Sequence, residues 1–512
     1  MQPAQRLASS KSLIWLRLVG LAPGRVSRAA ILLGLGAFIA AVYLPGSVVP
    51  DTLDMCGQAV SGVYNDWHSP AIAGLWGFFN PRIEVIFLTT LAATILAVHL
   101  ILTRWLRPWV AVACTAAIML FPATVGWMGH VGKDEWFAAA FLLGTALLAR
   151  AGTERRVRLR RALLMGAMIC FWFAIAARKN ALLPVGAALL VAWPVPGSVF
   201  GRLQDRLLVR RVLAAGGVLI LLVGSVSLFT SAIVRPRPRH PEQQAFLFDL
   251  TGLALAQQQM LFPPGVFPDG TTLSGIGQSF DPKTGDVFFF APGTPANPFM
   301  LAEQVSAVKE KWLEAVLAHP DSYLRTRLSY TSALLGIAGA HPYWSINDPG
   351  SLPATWGSNC RVPNRTFPSL HQRVLDLLLR VERGNLFRGW TFLVILIAGS
   401  LLAGVRKVTE ARVLLLGGLF SFAGIAIAGI SPTFRYSWFM AVCALIVAAL
   451  ALRRIPFAAR PDPPGEPLAS VPDSDASRSD PSPSSFSATM PTGEPRSRWE
   501  KVLVQMGLIP DS

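Results

Sequence analysis

Charge is scarce in this chain. Asp, Glu, Lys and Arg together make up 15% of its 512 residues, while 52% are hydrophobic. A soluble globular domain carries about 25% charged residues, so this composition excludes that class. A mean hydropathy of +0.47 points instead to a polytopic membrane protein, and to an all-α one, because an unpaired backbone cannot face lipid. Acidic residues are the scarcer sign, 29 against 46 basic, for a net charge of +17. An excess of that size suits a nucleic-acid partner only where it forms a patch. Here Lys and Arg gather in alternate short loops, as the positive-inside rule requires, so the charge encodes topology and no nucleic acid is expected. Cysteine is rare too, at five residues, with no Cys/His spacing of the metal-binding kind. The two halves of the chain do not resemble each other, whereas internal repeats with Gly/Pro-broken helices mark many transporters.

Apolar runs of spanning length, roughly 17 to 25 residues, predict about ten crossings, near 29–47, 83–103, 108–127, 136–150, 162–177, 181–196, 212–233, 388–404, 412–430 and 437–452. Basic residues mark every second turn: Arg17, Arg25 and Arg28, then Arg104 and Arg107, Arg155 to Arg161, Arg206 to Arg211, Arg406 with Lys407, and Arg453 with Arg454. Those turns face the cytoplasm, which places both termini there, in a plasma or inner membrane. The organisation predicted is a cytoplasmic N-terminal segment (1–28), transmembrane helices 1 to 7 (29–233), an extracytoplasmic insert (234–387), transmembrane helices 8 to 10 (388–454) and a disordered cytoplasmic tail (455–512). Within the first segment, SLIWLRLVGLA at 12–22 reads as an amphipathic lead-in along the inner surface. The first span reads as a retained helix rather than a cleaved signal peptide, because the region before it is unusually extended. The tail is too rich in Pro, Ser and Asp to bury a core.

This orientation makes the few charges on the outer side conspicuous. They fall at four helix ends: PDTLDMCGQAVSGVYNDWHSP, with Asp51, Asp54, Asp66 and His68; GHVGKDEW, with Lys133, Asp134 and Glu135; AARKNALLP, with Arg178, Lys179 and Asn180; and SPTFRYSW, with Arg435 and Tyr436. Each has a structural reading. Lys and Arg snorkel to headgroups, Asp and Glu cap helix N-termini, and Trp67, Trp127, Trp136 and Trp438 suit an aromatic belt. Ionisable groups beside hydrocarbon are nevertheless costly, and four such sites on one side predict a shared polar cavity.

Inside the insert, LAEQVSAVKEKWLEAVLAHPDSYLRTRLSYTSALLG predicts two amphipathic helices broken at HPDSY. Arg325, Arg327, Arg380 and Arg383 lie in a stretch too long for the charge rule to apply. The Pro- and Gly-rich stretches 262–300 and 340–370 read as ordered loop or short strand. Cys114, Cys170 and Cys443 fall inside predicted spans, whereas Cys56 and Cys360 fall on the oxidising side. Two outward cysteines in an exported region more often pair than not, and two unpaired thiols are the alternative.

In arrangement these residues resemble the GT-C superfamily of integral-membrane glycosyltransferases. Within it they look like the polyprenyl-phosphate-sugar-dependent group that includes the dolichyl-phosphate-mannose mannosyltransferases and the aminoarabinose transferases. The likeness covers roughly residues 28 to 455. It lies in the acidic pair Asp51 and Asp54, the string Asp66, His68, Pro70, the second acidic loop Lys133-Asp134-Glu135, the Arg178-Lys179-Asn180 turn, the insert after the seventh span and the late Arg435-Tyr436. The pair departs from the family's Asp-Glu and the string reads His-Ser-Pro rather than His-Pro-Pro, so which of Asp51 and Asp54 is the base stays open.

The resemblance implies a polyprenyl-phosphate-linked sugar donor, surrounding membrane lipids, a glycan, lipid or protein acceptor, and hexosyl transfer with inversion at an outward-facing site. Such a donor already holds a good leaving group, so one carboxylate suffices as base, unlike the two-carboxylate hydrolase scheme. Asp54 is the first candidate for that base, Asp51 its nearest rival, and Asp134 a second acidic group orienting the acceptor or a metal. Lys133, Arg178, Lys179 and Arg435 are the phosphate candidates. Asp66, His68, Glu135, Asn180 and Tyr436 complete the expected substrate-binding set. A divalent metal, magnesium or manganese, held by Asp51 and Asp54, stays open. The alternatives from other classes are a transporter or flippase of lipid-linked glycans and an O-antigen-type polymerase or ligase.

Overall fold

The computed structural model describes residues 23–79, 81–193, 204–290, 300–337, 360, 363–382 and 384–455. The expected lead-in at 12–22 and nearly all of the expected tail lie outside the described residues. In chain order the first part comprises α1 (Pro23–Tyr43), the short α2 (Pro50–Ser61) and α3 (Pro70–Phe78), α4 (Ile83–Leu102), α5 (Pro108–Leu120), α6 (Pro122–Met128), α7 (Lys133–Ala151), α8 (Val157–Ala177), α9 (Leu182–Ala192) and α10 (Gln204–Leu228). The insert supplies α11 (Gln243–Gln257), α12 (Leu273–Ser279), α13 (Asp286–Phe290), α14 (Ala302–Ala318), α15 (Pro320–Leu334) and α16 (Pro368–Glu382). The chain then returns through α17 (Gly389–Ala403), α18 (Thr409–Ala428) and α19 (Arg435–Ala451). Among the described residues there is no β-strand, only isolated bridges.

Among the described residues six stretches are long and apolar enough to cross a membrane: Gly24–Tyr43, α4, α8, Val209–Val234, α18 and Arg435–Arg454. Against the expectation of about ten crossings the described residues carry six such helices, or seven if α5 and α6 count as one span, which is bent by 68°. Pro122 accounts for the bend, since its ring removes a backbone donor and clashes with the preceding turn. Helix α7 opens on Lys133, Asp134 and Glu135, which lowers its apolar share. Helices α9 and α17 have 11 and 15 residues, short of a full crossing.

The insert carries the two amphipathic helices expected from its pattern. They are α14 and α15, with Pro320 at the first position of α15, where a missing N–H costs nothing. The 262–290 stretch differs from the loop or short strand expected, because it contains α12 and α13. Thr272 caps α12 by accepting from the Gly275 N–H, a local bond that favours helix over strand.

Packing pairs α7 with α8, α17 with α19 and α9 with α18. Two loops position the charged helix starts. The Ser47 N–H donates to the Gly129 carbonyl (2.8 Å) and the Val131 N–H to the Ser47 carbonyl (2.9 Å), so the approach to α2 runs beside the approach to α7. Gly46 makes this possible: its φ of +122° suits glycine, and a Cβ there would sit 2.5 Å from Val131 Cγ2. Thr52 Oγ1 also donates to the Val131 carbonyl. The first turns of α2 and α7, with their carboxylates, are thereby brought together.

Candidate active site

The stretch after α1 is not the open acidic loop that its composition suggests. Pro50 at a first helical position and Gly62 at a left-handed C-cap (φ 68°) delimit α2. Ser69 caps α3 by accepting from the Ile72 N–H. Asp51 thus sits in the first turn of α2, and Asp134 and Glu135 in the first turn of α7. Carboxylates there complement the helix dipole. Lys133 opens α7 and Arg435 opens α19, helix ends where a cation is disfavoured, so their presence calls for partners.

Those partners form one chain of charge. Asp51 Oδ2 lies 3.0 Å from Lys133 Nζ and also accepts from Arg435 Nη2. Arg435 Nε donates to Asp134 Oδ2, and the other oxygen of Asp134 meets Arg178 Nη1. Arg435 therefore bridges the two acidic helix starts, and Asp134 is held between two guanidinium groups. The Tyr436 ring lies 5.4 Å from the Arg178 guanidinium and 5.3 Å from that of Arg435, within cation–π range.

His68 stands in the middle. Its Nδ1 is 3.1 Å from Lys133 Nζ, and its Nε2 is 3.8 Å from both Asp51 Oδ1 and Asp54 Oδ2. An ammonium group has no acceptor, so Nδ1 accepts and Nε2 carries the proton, facing the carboxylates. Burial pushes the imidazole down to about 3, against the pull of Asp51 and with help from Lys133 and Arg435, so His68 is neutral. Ser69, next in the chain, donates to the Ala176 carbonyl at the end of α8 and so seats His68 beside Arg178.

The two candidate bases differ in surroundings. Burial tends to raise Asp51, but Arg435 and Lys133 hold its carboxyl well below the usual carboxylate range. A carboxylate clamped in this way is a poor proton acceptor. Asp54, one helical turn on, is raised by burial, with Gln58 opposing and Asp51 adding to the rise. Its side chain is 42% exposed, and its oxygen accepts from Gln58 Nε2 at 2.6 Å.

A cavity of about 1160 Å³ opens beside this cluster. Its polar wall includes His68, Lys133, Arg178, Lys179, Arg235 and Tyr436. Its apolar wall comes from α8, α9, α10 and α18, through Ile175, Leu182, Val223, Val226 and Ile425. Of the expected site residues, Asp66 and Asn180 also line it, and each braces the wall through one side-chain atom. Asp66 Oδ1 accepts from the Arg239 N–H, and Asn180 Nδ2 reaches the Ser421 carbonyl at 3.5 Å. Asp51, Asp134 and Arg435 lie behind the polar wall, and Asp54, though exposed, lies off the cavity lining and meets it through His68. Glu135 is buried at 2% exposure, its carboxylate against Gly132, away from the cavity lining.

Cys56 in α2 and Cys360 are joined by a disulfide, with Cα atoms 5.6 Å apart. Sequence reasoning missed Gln58, Arg235 and Asp286. Gln58 was legible as the i+4 partner of Asp54 once residues 50–61 are read as a helix. Arg235 had no signal beyond lying past the last apolar residue of α10. A metal has a poor donor set here: Asp51 Oδ2 is committed to two cations, and among the described residues no group of three His, Cys, Asp or Glu is placed to hold an ion.

No family model matches the chain, and no curated protein matches it. Among solved structures it is similar to the oligosaccharyltransferase of Archaeoglobus fulgidus in complex with zinc and sulfate, at 12% identity and a TM-score of 0.39, over 82% of this chain and 48% of that one. It is also similar to the same organism's AglB with an inhibitory peptide and a dolichol-phosphate, at 12% identity and a TM-score of 0.37, over 83% and 50%. The chain spans about half the length of the structures it matches. Likeness at this level assigns neither family nor chemistry, which rest on the residues themselves.

Proposed function

We propose that this protein is a membrane glycosyltransferase that moves a sugar from a polyprenyl-phosphate donor to a hydroxyl acceptor on the extracytoplasmic side. The observation that carries the reading is the two-sided cavity, with cations and Tyr436 on one wall and the apolar faces of membrane helices on the other. A lipid phosphate is the ligand class that needs both. Within the interlocked cluster, three cations (Lys133, Arg178, Arg435) face two carboxylates (Asp51, Asp134), leaving one positive charge with His68 neutral. With Asp54 ionised beside it the cluster is neutral, so Lys179 and Arg235 on the cavity wall supply the excess positive charge for a sugar phosphodiester.

The chemistry follows as a single displacement. Asp54, as carboxylate, takes the proton of the acceptor hydroxyl while that oxygen attacks the anomeric carbon. The bond from the anomeric carbon to the phosphate oxygen breaks, and the lipid phosphate leaves with the electron pair. Lys133 and Arg178, mostly buried at 19% and 12% side-chain exposure, meet the charge that develops on it. Asp54 and Lys133 both approach the His68 ring, Asp54 Oδ2 at 3.8 Å from Nε2 and Lys133 Nζ at 3.1 Å from Nδ1. Neutral His68 orients Lys133, and Arg435 holds the two acidic helix starts together. No step is routed through a metal.

The test of the reading is retention of undecaprenyl phosphate, compared with undecaprenol, by the purified full chain in native mass spectrometry. The phosphate is expected to be held at least about tenfold more tightly, the worth of one charge-assisted contact, and Lys133→Gln with Arg178→Gln removes the difference. Equal retention of phosphate and alcohol sinks the proposal.

A further inference from the structure

Arg435 follows a short connection, residues 429–434, between α18 and α19. Three successive carbonyls of that connection accept hydrogen bonds from the insert. Arg327 Nη1 donates to the Gly429 carbonyl (2.7 Å), the Gly285 N–H to that of Ile430 (2.7 Å), and Tyr330 Oη to that of Ser431 (3.1 Å). Ser431 Oγ in turn donates to Asp286 Oδ2 at 2.7 Å. The fit is close: a Cβ on Gly429 would collide with Tyr330 Oη.

The insert holds these donors rigidly. Arg327 Nη2 is 2.8 Å from Asp249 Oδ2, which also accepts from Trp312 Nε1 at 3.0 Å. The guanidinium lies 5.6 Å from the Phe248 ring and 5.9 Å from that of Tyr330. Three insert helices, α11, α14 and α15, therefore converge on one arginine aimed at one carbonyl. A buried ion pair is weak evidence for stability, since desolvation offsets its attraction, whereas directed bonds to consecutive carbonyls set the path of a backbone. Arg327, Tyr330 and Asp286 are absent from the cavity lining, so they do not act by touching a ligand there.

We infer that the insert places Arg435: Arg327, Tyr330 and Asp286 are positioning residues that hold the 429–431 backbone, and through it the guanidinium that bridges Asp51 and Asp134. The inference rests on the glycosyltransferase reading for its effect on rate, but not for its structural content. It makes the insert part of the catalytic framework rather than an appended domain, and the connection it holds also lines the cavity through Gly429 and Ile430.

The experiment compares the full-length protein with the double variant Tyr330→Phe/Ser431→Ala, which removes two hydroxyls and leaves no new buried charge. Amide hydrogen exchange in peptides covering 432–437 is expected to quicken about tenfold, the equivalent of one lost hydrogen bond, while peptides from α11 and α14 keep their rates. Turnover is expected to fall between about tenfold and about a hundredfold, as when a catalytic group is misplaced by about 1 Å. In an Arg435→Lys background the same two changes are expected to have little further effect, because interacting residues are not additive. Unchanged exchange at 432–437, or an equal fall in turnover in both backgrounds, overturns the inference. Faster exchange in a protein that transfers no sugar from any donor upholds the placement and removes the glycosyltransferase reading instead.

Discussion

Replacing Asp54 by Asn and, separately, Asp51 by Asn divides two carboxylates three residues apart by what surrounds them. Asp54 is 42% exposed, and its bonds are one from Gln58 Nε2 and a 3.8 Å approach from neutral His68. An Asn there keeps the Gln58 bond through its carbonyl oxygen and leaves no cation unpaired, so stability is expected to change by less than about 1 kcal/mol. The general base is lost, which lowers kcat by about 10² to 10⁴-fold. Asp51 is the reverse case. Its Oδ2 serves both Arg435 and Lys133, and removing one partner of a buried pair costs roughly 3 to 5 kcal/mol. Arg435 keeps Asp134, which places the expected loss at the lower end, about 3 kcal/mol. The assay is donor turnover by both variants at matched protein level, with thermal aggregation in detergent as the stability readout. The predicted pattern is an inactive, stable Asp54→Asn and a destabilised Asp51→Asn. A fully stable, inactive Asp51→Asn beside an Asp54→Asn of near-normal rate would assign the base to Asp51 and refute the division of roles.

Three further outcomes are expected. On acidification activity is lost before structure: Asp54 is raised above the ordinary aspartate value, so the reactive carboxylate disappears as pH falls through that raised value. Asp51 is depressed, so the stability from its ion pairs is fully present above the ordinary carboxylate range and is lost only as pH falls through its lower folded value. Unfolding that precedes or coincides with loss of turnover in an acid titration counts against this. The pH profile is also expected to lack a limb in the ordinary histidine range, because His68 stays neutral down to about 3; a limb there that His68→Gln abolishes would contradict the assignment. Finally, Cys56→Ala opens a loop of 304 residues and is expected to cost about 2 to 5 kcal/mol of stability, with denaturant unfolding as the check and an unchanged midpoint as the contrary result.

Composition is enough to read the helical, membrane-embedded class, because lipid permits little else. Counting the crossings needs more. The Pro122 break, the three charged residues opening α7 and the shortness of α9 and α17 depend on how helices lean on one another, which an apolar run does not record. The four charged helix ends are legible singly, since each lies where charge is costly. Their joining is not: the Asp51–Arg435 contact spans 384 positions, and the bridge between Ser47 and the 129–131 backbone that makes it possible runs through main-chain groups. Asn180 and Asp66 line the cavity, as the sequence suggests, and each also braces its wall, a second task that the residue type does not record. Arg327 is, in the sequence, one more charge in a long segment, and only its meeting with Asp249 and the Gly429 carbonyl gives it a task.

Single-displacement transfer from a lipid phosphate is the central claim. Its most direct test is to give the full-length protein, in lipid nanodiscs, undecaprenyl- and dolichyl-phosphate sugars labelled at the anomeric carbon, with membrane glycan, lipid and peptide acceptors, and to read the product's anomeric configuration by NMR. The expected result is a labelled product of inverted configuration, one polyprenyl phosphate released per transfer, and no product from Asp54→Asn. Retained configuration, undiminished product from Asp54→Asn, or movement of intact lipid-linked sugar across the bilayer without transfer would contradict it.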